Sequence, residues 1–281
     1  MTKLLFASVI TFFFSFVLYT GIAQAVEPFE AVALPEGWIF ATYASYYNSS
    51  ELLNKKGDVT VSNLDLSTYT ATLRLSGYTK ALLPNTASAT LLVPVGRKDL
   101  RQDDDAGLGD ITFAAGYWFI DNPETMTYFA AGSYVDMPTG SYKFAKTANM
   151  GSNVWKFRPS IGFAKQTGNL KIETALRYNI YTKNEANDVK DGNEFIAEGY
   201  AGYFIKHKVL LGWHVNGIFG NEKTFKGKDV KDSEIQRILT GPSLFLIAAK
   251  GFTITITALS EVGVRNSTQG TLFVTRFAWR L

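Results

Sequence analysis

The chain has 281 residues, with 28 Lys and Arg against 25 Asp and Glu, a formal net charge of +3, and no cysteine. That balance is too near neutral to argue for a nucleic-acid partner. The absence of thiols excludes disulfides, thiolate catalysis, thiolate metal sites and a lipidated N-terminal cysteine.

Residues 1–25 read as a cleaved secretory signal. Lys3 supplies the charge, Leu4 to Leu18 the apolar core with its Phe12-Phe13-Phe14 run, and Ala23-Gln24-Ala25 a small-x-small cleavage site. Removing Lys3 leaves 27 bases against 25 acids, a net of +2. Residues 26–37 are predicted as a periplasmic N-terminal segment. At about 3.3 Å per extended residue it is long enough to reach into a lumen but too short for a large plug.

From residue 38 to 281 the sequence breaks into segments of about ten residues that alternate apolar with polar or small side chains, the signature of a strand between two solvents. Mean hydropathy is +0.00, as expected when polarity is hidden in a lumen, and the 14% aromatic content suits girdles at two membrane interfaces. The predicted strands are 38–47, 64–78, 86–95, 109–120, 126–137, 154–166, 170–181, 194–205, 208–219, 234–248, 252–264 and 271–281. In 64–78, Tyr69, Ala71, Leu73 and Leu75 oppose Thr68, Thr70, Thr72, Arg74 and Ser76. In 154–166, Trp155, Phe157, Ile161 and Phe163 oppose Lys156, Arg158 and Ser160, and Pro159 predicts a bulge. In 170–181, Ile172, Leu176, Tyr178 and Ile180 oppose Lys171, Glu173, Arg177 and Asn179. In 208–219, Leu211, Trp213 and Val215 oppose His214 and Asn216, and in 271–281 Phe273, Phe277 and Trp279 oppose Arg276 and Arg280. Segments 126–137, 194–205 and 234–248 are apolar on both faces in places, which leaves their facing open.

Residues 48–63, 96–108, 138–153, 182–193, 220–233 and 265–270 are long or polar connections; 79–85, 121–125, 167–169, 206–207 and 249–251 are tight. Their alternation predicts one all-β domain: a single antiparallel transmembrane β-barrel of twelve strands in an up-and-down meander, with ten or fourteen as the open alternatives. A barrel of this type belongs in the outer membrane of a Gram-negative bacterium, with short turns and both termini on the periplasmic side. Its partners are outer-membrane lipids and lipopolysaccharide, and the barrel-assembly machinery through the C-terminal strand, which ends in Phe277, Trp279 and Leu281. A monomer is expected.

Gly107-Leu108-Gly109-Asp110, followed by Ile111 to Phe119, and the later Pro138-Thr139-Gly140 resemble the outer-membrane family named after the meta-pathway of phenol degradation. The motifs cover 107–140; the strand spacing extends the resemblance over most of the barrel. The resemblance implies a β-barrel transporter of aromatic or other hydrophobic compounds. Gly107 and Gly109 are read as the bend from loop into sheet, and Asp110 as a rim carboxylate that caps a turn or pairs with an arginine.

Catalytic chemistry is thinly represented. His214 and Asn216 share one face, with no serine two positions from His214; a polar lumen pair is the simpler reading than a hydrolase site. Asp103-Asp104-Asp105 does not match a calcium loop, and Gly107-x-Gly109 precedes a strand where a dinucleotide site needs a helix. No catalytic residue, metal site or cofactor is expected. Function is placed in the lumen: Arg74, Lys156, Arg158, Lys171, Arg177, Arg237, Arg276 and Arg280 as inward bases, Asp110, Glu173, Glu198 and Glu261 as inward acids. Either these charges pair across the barrel or they form an electropositive constriction. The reading is a passive channel for small molecules with a polar, net-basic lumen; a barrel enzyme acting on lipid or envelope and a closed structural or adhesive barrel are the alternatives.

Overall fold

A computed structural model describes residues 28–81, 83–101 and 103–281. The predicted signal at 1–25 lies outside the described residues. Among the latter there is no helix long and apolar enough to cross a membrane, and the chain is built from strands. In order these are β1 (Gly37–Leu53), β2 (Val59–Thr79), β3 (Ala87–Leu100), β4 (Asp103–Leu108), β5 (Thr112–Asn122), β6 (Thr127–Asp136), β7 (Lys156–Thr167), β8 (Leu170–Tyr181), β9 (Val189–Lys190), β10 (Glu194–Ile205), β11 (Val209–Gly220), β12 (Thr224–Phe225), β13 (Lys228–Asp229), β14 (Gln236–Ala249), β15 (Phe252–Glu261) and β16 (Thr268–Arg280).

Each long strand pairs antiparallel with its sequence neighbour, and β16 pairs with β1 from Ile39↔Arg280 to Leu52↔Thr268. The sheet closes and leaves no edge in lipid. β4 pairs with the upper part of β3 (Val95 to Leu100) and β5 with its lower part (Ala87 to Leu92), so β4 and β5 are two halves of one stave. The barrel has twelve staves.

The strands read as alternating have one wet and one oily face. Leu73, Trp213 and Phe273 are about half exposed on the outside (48%, 53% and 50%), whereas Lys171 and Glu173 are 1% and 0% exposed inside. Segments 194–205 and 234–248 resisted reading because their inward faces are themselves partly apolar: Tyr200 and Phe204 on β10, and Leu239 and Phe245 on β14, are buried in the lumen.

Three local expectations are corrected. Residues 48–53, 59–63, 96–100 and 103–108 fall within the predicted connections, but the staves continue through them. Beyond the bilayer a hairpin needs no apolar outer face, so the alternation fades while the ladder persists. At its tip the side-chain oxygen of Asn54 accepts the N–H groups of Lys56 and Asp58, and Gly57 takes φ 87°. Second, Pro159 makes no bulge. β7 keeps register with β6 through Ser133↔Pro159, and its ladder with β8 skips Arg158 and Pro159 and resumes without a shift. The proline's missing N–H costs a ladder bond, not a residue of register. Register shifts fall instead at Trp118/Ile120 and Ile247/Ala249, beside tight turns, and within the β1 extension. Third, Gly107 and Gly109 do not lead from loop into sheet; they lie at the break between the two halves of a stave.

The lumen as candidate functional site

The barrel has a turn end, carrying the tight connections, and a loop end. At the turn end the lumen is filled by the N-terminal segment. Residues 28–34, part of the segment expected above to be periplasmic, run inside the barrel, and Pro35 and Glu36 are exposed at its turn end. Glu173 accepts the backbone N–H groups of Phe29 and Ala31, Trp118 Nε1 donates to Ala31 O (2.9 Å), and Arg276 donates to Pro28 O (3.2 Å). The Phe29 ring packs against Phe245 and Phe204 (centroids 4.8 and 6.3 Å apart), with the Lys171 ammonium 4.1 Å above it. Glu30 reaches Arg74 (3.6 Å) and accepts from Tyr134 Oη (3.1 Å). Barrel side chains thus satisfy Phe29 N, Ala31 N, Ala31 O and Pro28 O of this non-ladder stretch.

Above it the inward charges pair. Lys171 meets Glu173 (3.1 Å), Arg177 meets Glu198 (2.8 Å), and Lys156 (2.8 Å) and Arg158 share Asp136. Arg237 pairs with Glu261, which also accepts from Tyr47 Oη (2.8 Å) and Gly270 N (2.7 Å). The Arg158 and Arg177 guanidiniums stack on Tyr134 at 5.0 and 5.5 Å. His214 and Asn216 are buried side by side on the inner face of β11, with the His214 ring 4.7 Å from that of Tyr200. Arg280 departs from the expected set: it is exposed at the turn end and donates to Glu36 O. It lies past the last inward position of β16, where alternation no longer meets a lumen.

The expected excess of inward bases shrinks, because Arg280 leaves the bases and Glu30, Asp105 and Asp136 join the acids, while Lys98 joins the bases and the buried Lys223 is paired with Asp191. Glu30 belongs to no strand and Asp105 sat in what read as loop. Asp136 closes a strand whose facing was open. None of the three could be placed by alternation.

At the loop end an apolar cluster spans the lumen. Leu64 and Leu66 of β2, Ile218 of β11, Leu239 of β14, Leu259 of β15 and Leu272 of β16 pack together with Tyr47 and with Ala148 of the β6–β7 connection. Beside it, toward β2, β3 and β7, lies a vestibule cavity of 180 Å³ lined by Thr68, Thr70, Thr72, Lys98, Lys156 and Arg158 among others.

The β6–β7 connection folds over this vestibule and is held by three aspartates of the β4–β5 stave. Asp103 accepts from Thr147 N and Oγ1 and from Ala148 N; Asp105 accepts from Met150 N and Ser141 Oγ. Partial burial pushes the Asp103 carboxyl up, but those donors outweigh it and hold the group below its usual value. Asp110 accepts from Gly140 N (2.9 Å), Ser152 N (2.8 Å) and Ser152 Oγ. Ile111 N donates to Thr139 Oγ1 (2.9 Å), directly after Pro138. A Cβ on Gly140 would stand 2.5 Å from the Gly151 Cα, so only glycine fits where the latch closes. Asp110 thus caps backbone, and Gly109-Asp110 and Thr139-Gly140, separate in sequence, form one latch.

These features define a transmembrane β-barrel of the outer-membrane type with an internally braced lumen. The sequence matches the family described as "Putative MetA-pathway of phenol degradation" over residues 49–277, and the chain belongs to that family. Among solved structures it is similar to an outer membrane channel from Pseudomonas putida F1, with TM-score 0.84 and 20% identity over 91% of this chain and 100% of that one. The NanC porin follows at TM-score 0.51 and 11% identity (86% and 100% covered), and the translocator domain of the autotransporter NalP from Neisseria meningitidis at TM-score 0.51 and 13% identity (86% and 88% covered). Among curated proteins, none matches the sequence.

Proposed function

We propose that the protein is a passive outer-membrane channel for small aromatic or otherwise hydrophobic compounds, with its turn end and both termini in the periplasm. The observation that carries this reading is the apolar cluster inside the lumen. Barrel interiors that conduct ions and sugars are polar; here Leu64, Leu66, Leu239, Leu259 and Leu272 face inward and are nearly fully buried. The near balance of inward charge argues in the same direction, because paired ions offer little net field to steer a free anion. The family description names phenol degradation, and the Pseudomonas putida relative is described as a channel; both agree with this reading.

The test is uptake of labelled toluene or phenol against arabinose by porin-deficient cells producing the protein. Faster aromatic uptake with little change for the sugar is expected; sugar uptake alone would overturn the substrate class. A second reading, a closed structural barrel, is favoured by the lumenal segment 28–34. Planar-bilayer recordings decide between them: a membrane that stays silent after removal of residues 28–34 supports closure.

A further inference from the structure

The lumen is not filled evenly. On the side of β10, β11 and β14, Phe29 packs into Tyr200, Phe204, Leu210 and Phe245, and toward the loop end Leu239, Leu259 and Leu272 follow. On the opposite side lies a second cavity of 80 Å³, whose floor is the inner face of β3, β5, β6, β7 and β8. There Gly116 pairs with Gly132, and Gly132 with Ser160; one row nearer the turns, Ala130 pairs with Gly162, and Gly162 with Ala175. None of these six is larger than serine, so this wall is hollow where the facing one is filled. The 180 Å³ vestibule continues the hollow toward the loops. Its Leu92, Thr112, Asp136 and Arg158 stand two residues along the same strands from Thr90, Ala114, Tyr134 and Ser160 of the second cavity. Farther up the vestibule wall, Thr68 and Thr72 are more than nine-tenths buried, with hydroxyls that meet no partner. Between the two cavities a bar crosses the lumen. Tyr134 Oη of β6 donates to Glu30 (3.1 Å), and Glu30 meets Arg74 of β2 (3.6 Å). β3 and β5 lie between β2 and β6 in the sheet, so the bar is a chord over Thr90 and Ala114. Arg158 and Arg177, stacked on the Tyr134 ring at 5.0 and 5.5 Å, hold the ring in place.

We propose that solutes leave the vestibule along this hollow wall, and that Tyr134 is the residue that sets the size limit of the channel. The inference rests on the channel reading and adds to it the route and the residue that discriminates. The volumes require the bar to move. An apolar cavity of about 150 Å³ takes benzene; the vestibule, at 180 Å³, exceeds that, and the cavity beneath the bar, at 80 Å³, does not. A single ring therefore fits above Tyr134 and passes when the bar opens, whereas fused rings are stopped by the tyrosine ring. Opening strands neither neighbouring guanidinium. Arg74 also donates to Tyr43 Oη (3.1 Å) and Ser76 Oγ (3.0 Å), and Arg177 keeps Glu198 (2.8 Å). The ions on both sides of the bar are paired, which suits an uncharged solute and agrees with the balance of inward charge.

The chain has no cysteine, so single introduced thiols report the route without background. Ser160→Cys lies on the hollow wall, and Ser243→Cys on the inner face of β14, in the filled wall. Porin-deficient cells producing either variant are treated with benzyl methanethiosulfonate, and uptake of labelled toluene is measured. Uptake should fall severalfold with Ser160→Cys and stay at the parent level with Ser243→Cys. Tyr134→Ala should raise the ratio of naphthalene to toluene uptake severalfold, whereas Tyr134→Phe, which keeps the ring, should hold the parent ratio. The proposal is overturned if Tyr134→Ala, with native heat-modifiable mobility, keeps the parent ratio. It is also overturned if labelled Ser160→Cys takes up toluene like the parent, or if labelled Ser243→Cys is blocked as strongly. Should Tyr134→Ala fail to fold, the two thiols decide. Their labelling rates in nanodiscs need no transport. No toluene uptake by the parent, with Ser160→Cys labelled faster than Ser243→Cys, would overturn the channel reading and leave the open wall. Uptake by the parent with an unchanged ratio in Tyr134→Ala would overturn the role of Tyr134 and leave the channel.

Discussion

Glu173 shows how much rests on single carboxylates in this lumen. It is fully buried, pairs with Lys171 and caps the N–H groups of Phe29 and Ala31. Glu173→Gln should therefore strand Lys171 without a carboxylate in its ion pair, at a cost of up to about 3–5 kcal/mol, and release the segment 28–34. Denaturant unfolding in micelles should show a lower midpoint, and bilayer recordings should show new open events; an unchanged midpoint and a silent bilayer would mean the segment is held elsewhere. The paired charges carry a second prediction. Replacing Arg158 and Arg177 by Gln leaves Asp136 and Glu198 short of their partners. If the lumen conducts, reversal potentials in a salt gradient should shift toward cations, more at 0.1 M than at 1 M salt, where the Debye length falls to about 3 Å. A shift toward anions would contradict the pairing. Lys171, Glu173, Arg177 and Asn179 were legible from sequence because β8 alternates without exception. Glu30 and Lys98 were not, because one is in an unpaired segment and the other in a strand extension that reads as polar loop.

Among the elements, the β6–β7 connection is the one whose structure the sequence concealed. It read as a long external loop, yet its backbone is tied to Asp103, Asp105 and Asp110 across the β4–β5 stave. Such side-chain-to-backbone capping leaves no periodic trace. Asp110→Ala removes the acceptor of Gly140 N and Ser152 N, worth about 1–3 kcal/mol for groups left unsatisfied, while the bilayer-spanning ladder is untouched. Trypsin should then cut at Lys143 or Lys146 several times faster than in the parent, with the barrel still resistant to denaturation at room temperature. Equal cutting rates would show that the connection is held by packing alone. The staves were legible for the opposite reason: lipid on one side and water or paired charge on the other impose period two. Leu73→Arg and Ile172→Arg place a guanidinium on the lipid face and should each cost roughly 2–4 kcal/mol of assembly, read as lost folding into vesicles. Thr72→Arg, on the inner face, should fold far better; equal losses at all three positions would overturn the registers of β2 and β8.

For the molecule as a whole, the two ends of the barrel are unlike, and that asymmetry carries its orientation. At the turn end the connections are as short as Lys206-His207-Lys208, between β10 and β11. At the loop end β9, β12 and β13 form a small separate sheet, with Thr224 and Phe225 paired to Lys190 and Val189, and Lys223 bridges to Asp191 (2.8 Å). This sheet rises beyond the closed ladder, and its tip at Lys226-Gly227 is a two-residue turn with φ 50° and 76°. Outer-membrane barrels place short turns in the periplasm and long connections outside, so the tip should face the medium. A protease site inserted after Gly227 extends an exposed turn without touching the register of any stave. Protease added to intact cells should cleave it, whereas a site inserted after His207 should be cut only once the outer membrane is permeabilised. The reverse pattern would invert the barrel and place the vestibule, with Lys98, Thr72 and the Asp110 latch, on the periplasmic side, where it would meet a solute on leaving the lumen and not on approaching it.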